Sequence, residues 1–328
     1  MKENLLKALE SFEQALKITT LESDPAEYAR LQINRGAAFY NLSRYESKQA
    51  NLLKAVSAYE SGLKAAREDN LPKEYAILQK NMGIAFQVLS TESAEADNLK
   101  QAISAYEQAV KVITADSDPA EFARIKKNAA IAYQNLAALE EKEGNLSKAI
   151  FAYEETLPLF TLEQSPQEYA EIQKNIGVAY QMFADLGEKE ENLLTALAAY
   201  EQALKIITPE NNPRDYLLLV KNSAFALQNL ASVAEPEKNI KSALTKYDAA
   251  LTLIDLQQNP LEFARIHQNR AVAFCLLAEK EEAKENLEQA VAAYENVLKV
   301  KTEISAPEEY ARIQKNIGIL YQKLSALG

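Results

Sequence analysis

The chain has 328 residues, of which 48% are apolar and 25% are charged, with eight glycines, ten prolines and no tryptophan. The scarcity of glycine and proline argues against an all-β fold with many tight turns and against a disordered chain. The net charge of −11 disfavours nucleic acid as the main partner, because chains that neutralise phosphates usually carry a basic excess. No apolar run approaches the roughly 18 residues of a membrane span, and the first residues lack the apolar core of a signal peptide. We therefore expect no membrane partner and a cytoplasmic location.

Three sets of residues recur along the chain with a constant spacing of 47. The first set is Asn4, Asn51, Asn98, Asn145, Asn192, Asn239 and Asn286. The second is Pro25, Pro72, Pro119, Pro166, Pro213, Pro260 and Pro307, and the third is Asn34, Asn81, Asn128, Asn175, Asn222, Asn269 and Asn316. A fixed period of this size is typical of a repeat array. The pattern predicts a single repeat domain, residues 1–328, whose units start at the first set of asparagines.

Each unit begins with a predicted helix that follows the first asparagine. In the third unit Leu99, Ala102, Ile103 and Tyr106 follow the three- and four-residue spacing of one helical face. Asparagine is a common N-cap, because its side chain accepts a hydrogen bond from a free backbone N–H. We expect Asn98 and its equivalents to cap these helices.

A second helix is predicted to begin at each repeating proline, since the missing N–H of proline costs nothing in the first helical turn. The residues expected as its N-caps are Asp24, Asp118, Ser165, Asn212 and Asn259. Glutamates three residues later complete a predicted capping box; they are Glu27, Glu121, Glu168 and Glu262. Two helices per unit give fourteen in all.

Small and aromatic residues also recur at fixed positions. Gly36, Gly83, Gly177 and Gly318 share one position of the repeat with three alanines. A row of tyrosines, including Tyr200, stands at another. Small residues let neighbouring helices approach closely, and aromatic rings fill the space beside them. Since one unit cannot bury its apolar faces alone, we expect stability to come from stacking of units.

The pattern resembles the tetratricopeptide repeat family. Ile176-Gly177-x-x-Tyr180 is similar to the signature of its helix A, and Ala196-x-x-x-Tyr200-x-x-Ala203 to that of its helix B. Pro209 lies near the expected closing proline. The unit is longer than the family's usual length of about 34 residues. The resemblance implies an all-α, right-handed α-solenoid, a superhelix of about seven two-helix repeats. Its concave face would be lined by the proline-initiated helices. It implies no catalysis, cofactor or metal.

The resemblance also implies a candidate peptide-binding site on the proline-initiated helices. Asn34, Asn81, Asn128, Asn175, Asn222, Asn269 and Asn316 occupy the position that, in related arrays, holds the backbone of an extended peptide. A carboxamide can pair with a peptide N–H and C=O together. Alternatively, each asparagine bonds to the neighbouring helix and fixes the stacking angle. The sequence leaves both interpretations open.

Basic and amide side chains surround these asparagines. The lysines are Lys80, Lys127, Lys174, Lys221 and Lys315; the arginines are Arg30, Arg124, Arg265 and Arg312; the glutamines include Gln134 and Gln181. A basic face on an acidic protein favours an acidic peptide ligand. Pairing of each arginine with a glutamate three residues earlier is the competing interpretation. Glu171 and Leu218 interrupt the arginine positions, so the middle of the site differs in preference.

No set of residues typical of an enzyme is present in the sequence. His267 is the only histidine, and we expect it to be a polar surface residue. Cys275 is the only cysteine, and by helical phase it does not form a dyad with His267. We find no acid–histidine–nucleophile set, metal-ligand cluster or glycine-rich phosphate loop, and therefore predict no enzyme activity and no cofactor.

The sequence thus predicts a non-catalytic scaffold that binds a protein or peptide. Two alternatives stay open. The first is a self-assembling array, in which the unpaired terminal helices associate head to tail between molecules. The second is the interaction arm of a larger multidomain protein.

Overall fold

The computed structural model describes residues 1–327, which form fourteen α-helices, one 3₁₀ turn and the connections between them. Seven helices contain the first asparagine set, and we call them the asparagine helices: α1 (Lys2–Ala15), α3 (Lys48–Leu63), α5 (Glu95–Ala109), α7 (Lys142–Thr156), α9 (Lys189–Leu204), α11 (Pro236–Leu251) and α13 (Ala283–Leu298). The other seven begin at the repeating proline, and we call them the proline helices: α2 (Pro25–Leu42), α4 (Pro72–Leu89), α6 (Pro119–Ala137), α8 (Pro166–Phe183), α10 (Pro213–Leu230), α12 (Pro260–Ala278) and α14 (Pro307–Leu327). The 3₁₀ turn, Leu157–Leu159, follows α7. The predicted fourteen helices, two in each unit, are confirmed.

The caps of the proline helices agree with the sequence only in part. Asp24, Asp118 and Asn212 each accept a hydrogen bond from the backbone N–H three residues later, at 3.0 to 3.1 Å. Asn259 makes no such bond. The predicted capping boxes are wrong, because the N–H of Asp24 already donates to the carbonyl oxygen of Thr20 at 3.2 Å. The glutamates at the third helical position are therefore available for other partners.

The predicted role of the first asparagine set as N-caps is also wrong. In the six units from Asn51 onward the asparagine is the fourth residue of its helix. Its side-chain N–H donates to the carbonyl oxygen five residues earlier, at 2.6 to 2.9 Å. The residue four positions before each of these asparagines has a left-handed backbone, with φ between 41° and 46°. These residues are Ser47, Ala94, Glu141, Glu188, Glu235 and Glu282, and none is glycine.

This arrangement has a physical reason. A left-handed conformation costs a residue other than glycine roughly 1–2 kcal/mol. Asn192, for example, bonds to the carbonyl oxygen of Gly187 at 2.9 Å, and so closes the turn around Glu188. The asparagine therefore stabilises a strained entry to the helix, and it does so from inside the first turn.

Packing divides the chain into two compact halves, Met1–Ser165 and the part from Pro166 onward. In each half every helix packs against the helices directly before and after it, and most successive proline helices also touch. Alanines at one repeat position are completely buried, such as Ala55 and Ala102 in the first half and Ala196 and Ala243 in the second. The prediction of one repeat domain over residues 1–328 stays a prediction.

Tyrosine rings of the asparagine helices lie directly on glycines of the proline helices. A methyl group added to Gly36 would come within 2.3 Å of the Tyr59 ring, and one added to Gly177 within 2.4 Å of the Tyr200 ring. A methyl group added to Gly318 would meet no atom within 4 Å. The glycines thus allow the close approach that the sequence predicted.

In the part of the chain that the structure describes, none of the helices has both the length and the apolar character that crossing a membrane requires.

Candidate functional site

The second asparagine set lies on the proline helices, one residue to each helix, and we call it the asparagine ladder. Asn34 is exposed, and the other six members are half-buried. Since each carboxamide is accessible in part, the ladder residues can contact both the protein interior and a ligand.

The interior contact of the ladder is a tyrosine hydroxyl on the preceding asparagine helix. The side-chain N–H of Asn316 donates to the Tyr294 hydroxyl at 3.4 Å. The side chains of Asn222 and Asn269 lie beside the hydroxyls of Tyr200 and Tyr247 in the same way and act to lower the pKa of each phenol. This bond to the neighbouring helix is the structural role that the sequence analysis considered for the ladder.

Four tyrosines of this row donate to glutamines on the proline helix before them. Four such bonds measure 2.8 to 3.0 Å: Tyr106 to Gln87, Tyr153 to Gln134, Tyr200 to Gln181 and Tyr247 to Gln228. Two glutamines predicted as site residues, Gln134 and Gln181, therefore accept hydrogen bonds from the protein itself. We call each linked set of glutamine, tyrosine and ladder asparagine a tyrosine junction.

Burial governs the chemistry of these junctions. It raises the pKa of the Tyr200 phenol far above its usual value, while the hydrogen bond from Asn222 acts in the opposite direction. The hydroxyl therefore stays protonated at every physiological pH, so that it can always donate to Gln181.

Three of the lysines beside the ladder form ion pairs with carboxylates of the next proline helix. Lys80 lies 2.6 Å from Glu121, and Lys174 lies 3.1 Å from Asp215. Lys221 pairs with Glu262 in the same way. Each carboxylate is 41 residues further along the chain and occupies the third position of its helix. Sequence reasoning had assigned Glu121 and Glu262 to capping boxes and had missed these pairs. The lysine and the carboxylate of each pair are always 41 residues apart, six fewer than the length of the repeat, and this constant spacing could have revealed the pairs from the sequence.

The remaining basic residues differ in their partners. Arg124 and Arg265 each lie 3.8 Å from a glutamate three residues earlier, which is the competing interpretation given above. Lys127 is half-buried on α6, and Lys315 and Arg312 are exposed on α14. Lys315 makes no ion pair within residues 1–327. A hydrogen bond from Lys301, together with the nearby Arg312, lowers the pKa of the Glu309 carboxyl.

A recess of about 500 Å³ lies along the first half of α10. Arg214, Leu218 and Lys221 line it from one face of that helix, and Glu262 closes it from α12. Leu218 is one of the residues that interrupt the arginine positions. The recess therefore combines an apolar floor with charged groups at its edges.

His267 is buried, with 5% of its surface exposed, so its predicted place on the surface is wrong. The repeat position that it shares with Gln32, Gln79 and Gln173 is an interior one. Its ring packs 4.3 Å from that of Phe263, and its Nδ1 has no hydrogen-bond partner. Burial, with Arg270 and Lys299 nearby, lowers its pKa to about 4.

Comparison with known proteins identifies the fold. A scan against protein-family models finds no match, and a search of curated proteins finds no similar sequence. Among solved structures, the C-terminal part of a TPR repeat-containing protein from Cytophaga hutchinsonii matches with a TM-score of 0.53 and 15% identity, over 90% of each chain. This chain has the tetratricopeptide-repeat fold.

Two further structures are less similar. BtubC from P. vanneervenii has a TM-score of 0.48 and 18% identity, covering 77% of this chain and 89% of its own. A signal transduction ATPase with numerous domains and a tetratricopeptide repeat sensor, from Pyrococcus horikoshii, has a TM-score of 0.48 and 15% identity, covering 99% and 51%. Since both scores are below 0.5, the assignment of the tetratricopeptide-repeat fold rests on the Cytophaga protein.

Proposed function

We propose that this chain is a non-catalytic protein-interaction scaffold whose proline helices bind an extended peptide segment beside the asparagine ladder. The observation that supports this function best is the recess along α10. Lys221, which directly precedes Asn222 in the sequence, lines it, and it offers Leu218 to an apolar side chain and Arg214 to a carboxylate. Pockets that combine apolar walls with a few polar groups are typical binding sites.

The tyrosine junctions are compatible with peptide binding by the ladder. A carboxamide has two N–H donors and a carbonyl oxygen that accepts. The contact of Asn222 with the Tyr200 hydroxyl involves at most one donor, so the second donor and the oxygen can pair with a peptide backbone. The structural and the ligand-binding roles of the ladder therefore do not exclude each other.

Charge favours a peptide that is both acidic and apolar. Lys221 is already paired with Glu262, so a ligand carboxylate there would have to displace a carboxylate of the protein. Arg214 is exposed and, among the described residues, makes no ion pair. We therefore expect the ligand carboxylate to bind Arg214, with an apolar side chain over Leu218.

The test uses a peptide selected by phage display on the full chain, whose affinity is then measured with purified variants. Asn222→Ala removes the ladder residue, whereas Tyr200→Phe keeps it and removes the phenolic hydroxyl together with its bond to Gln181. We expect Asn222→Ala and Leu218→Arg to weaken binding about tenfold, and Tyr200→Phe to leave it unchanged. Equal loss in Asn222→Ala and Tyr200→Phe, or no loss in either of the first two variants, would contradict the proposed site.

A further inference from the structure

One cavity in the compact half Met1–Ser165 lies where the third and fourth repeats depart from the common pattern of the repeats. It has a volume of about 260 Å³ and is enclosed by α5, α6 and α7. Three of its lining residues, Lys126, Ala129 and Phe151, differ in kind from most residues at the same positions of the other repeats. The packing that all repeats share does not explain why three unusual residues surround one cavity.

Ala129 creates the space. The same repeat position holds a larger side chain in five of the other six units, namely Arg35, Met82, Ile176, Arg270 and Ile317, while the sixth has Ser223. Protein interiors are normally filled to the density of organic crystals, so a small residue at a position that usually holds a large one leaves room for a group from elsewhere.

Phe151 places an aromatic ring at the edge of this space. It is 62% exposed, although the equivalent residues are small or polar, as in Ser57, Ser104, Ala198 and Ala292. With the rings of Tyr106 and Tyr133 it gives the cavity three aromatic neighbours. Aromatic pairs contribute about 0.5–1.5 kcal/mol beyond the burial of their area, so these walls favour an aromatic occupant.

The charges around the cavity leave one cation without a carboxylate. Lys126 pairs with Glu155 at 2.7 Å, and Glu107 accepts from the Tyr133 hydroxyl. The Lys148 ammonium lies 5.3 Å from the centre of the Tyr133 ring and, within the described residues, has no acidic partner. An occupant that carries a carboxylate next to its ring would complete this arrangement.

The cavity is separate from the asparagine ladder. Lys126, Ala129 and Tyr133 follow one face of α6 at helical spacing, and by the 100° turn of each residue this face is opposite to the one that carries Asn128 and Ile131. The two faces of α6 can therefore bind different groups.

We propose that this cavity is a second binding site, which takes an aromatic side chain of a partner polypeptide with an adjacent carboxylate on Lys148. The volume supports a side chain, because drug-sized ligands usually occupy about 300–1,000 Å³. The exposed Phe151 would be covered by the partner, and its burial would add to affinity. The site does not depend on the proposed function of the ladder.

The variants for the test restore residues that the repeat itself uses, so each is expected to fold. Ala129→Met introduces the residue at position 82, Lys148→Gln that at positions 101 and 289, and Phe151→Ala that at positions 198 and 292. Lys54→Gln serves as the matched control, because Lys54 occupies the position of Lys148 in the second repeat. Folding of each variant is checked by its thermal melt.

The probes are three synthetic peptides, Gly-Ser-Asp-Phe-Asp-Ser-Gly and its analogues with Ala for Phe or with Lys for both Asp. Binding is measured from the alanine and valine methyl signals of the labelled full chain. We expect the Asp-Phe-Asp peptide to shift the signals of Val110 and Ala152 and to bind at least about tenfold more tightly than either analogue. Ala129→Met and Phe151→Ala should weaken it about tenfold, Lys148→Gln should remove the preference for Asp over Lys, and Lys54→Gln should change nothing.

Two results would overturn the proposal. The first is equal binding of the Phe and Ala peptides, which would show that no aromatic side chain enters the cavity. The second is a Phe151-dependent change of molecular mass in sedimentation, which would make a second copy of this chain the occupant.

Discussion

The phenolic hydroxyl of Tyr200 donates a hydrogen bond of 2.9 Å to Oε1 of Gln181, nineteen residues earlier in the chain. The side chain of Asn222, on the helix that follows, lies beside the same hydroxyl and acts to lower its pKa. One buried hydroxyl therefore interacts with side chains of the helices on either side of it, α8 and α10. The same junction recurs at Tyr247, which bonds to Gln228 and lies beside Asn269.

Removing the hydroxyl should destabilise the fold. Tyr200→Phe leaves the partner groups of Gln181 and Asn222 unpaired in a buried place, which typically costs about 1–3 kcal/mol. Tyr59 is the matched control. The residue nineteen positions before it, where Tyr200 has Gln181, is Tyr40, and the Tyr59 hydroxyl makes no hydrogen bond within the described residues. Urea denaturation should show a clear loss for Tyr200→Phe and little change for Tyr59→Phe. Equal losses would mean that the junction contributes nothing of its own.

Two glycine substitutions should change stability in opposite directions. A methyl group at Gly177 meets the Tyr200 ring at 2.4 Å, so Gly177→Ala forces the ring to move, and overpacking of this kind costs typically about 1–3 kcal/mol. At Gly318 the space is open, and alanine inside a helix is more stable than glycine by roughly 0.5–1 kcal/mol. Thermal melts compare the two variants. A gain for Gly177→Ala would show that the close approach of ring and glycine is not needed.

Two substitutions at the left-handed entry to α9 should also change stability in opposite directions. Asn192→Ala removes the bond to the Gly187 carbonyl and should cost about 1 kcal/mol. Glu188→Gly relieves the backbone strain at φ 46° and should stabilise the chain by up to about 1 kcal/mol. Chemical denaturation of the single and double variants tests both. If Glu188→Gly were destabilising, the left-handed conformation would not be the source of strain.

The stability should depend on pH through His267. Its pKa is about 4 in the folded chain, against 6.5 for the ordinary side chain. Between these pH values the unfolded chain binds a proton that the folded chain does not, so the free energy of unfolding falls as the pH drops from 6.5 towards 4. Each unit of pKa difference corresponds to about 1.4 kcal/mol.

His267→Gln is the matched variant, because glutamine occupies this position at Gln32, Gln79 and Gln173. Denaturation of both proteins at several pH values gives the difference directly. We expect the variant to lose this part of the pH dependence. An identical pH profile in the two proteins would show that the histidine titrates alike in the folded and unfolded chains.

The sequence could predict those features that a residue determines within its own segment of the chain. A proline fixes the backbone angle φ and has no N–H, so the start of α10 at Pro213 follows from the residue alone. The fourteen helices follow equally from the apolar spacing. The asparagine at position 192 was misplaced as a cap because capping and bonding from the fourth helical position use the same side chain.

What the sequence could not predict depends on how neighbouring helices face each other. The pair between Lys221 and Glu262 joins two different repeats, and the offset between those repeats appears only in three dimensions. His267 was expected on the surface because the residue is polar, although its position is buried. The cavity beside Ala129 exists because a larger side chain is absent there, and residues of three helices line it.

The contacts between successive helices have a consequence for the history of the chain. Because each helix packs mainly against its neighbours in sequence, and the period of 47 is kept without insertion or deletion, unequal recombination between copies would add or remove a whole repeat without creating a new kind of interface. Copy number is then free to change, while individual copies diverge at single positions. Ala129 and Phe151 are differences of that sort, by which two neighbouring copies gain a property that the others lack.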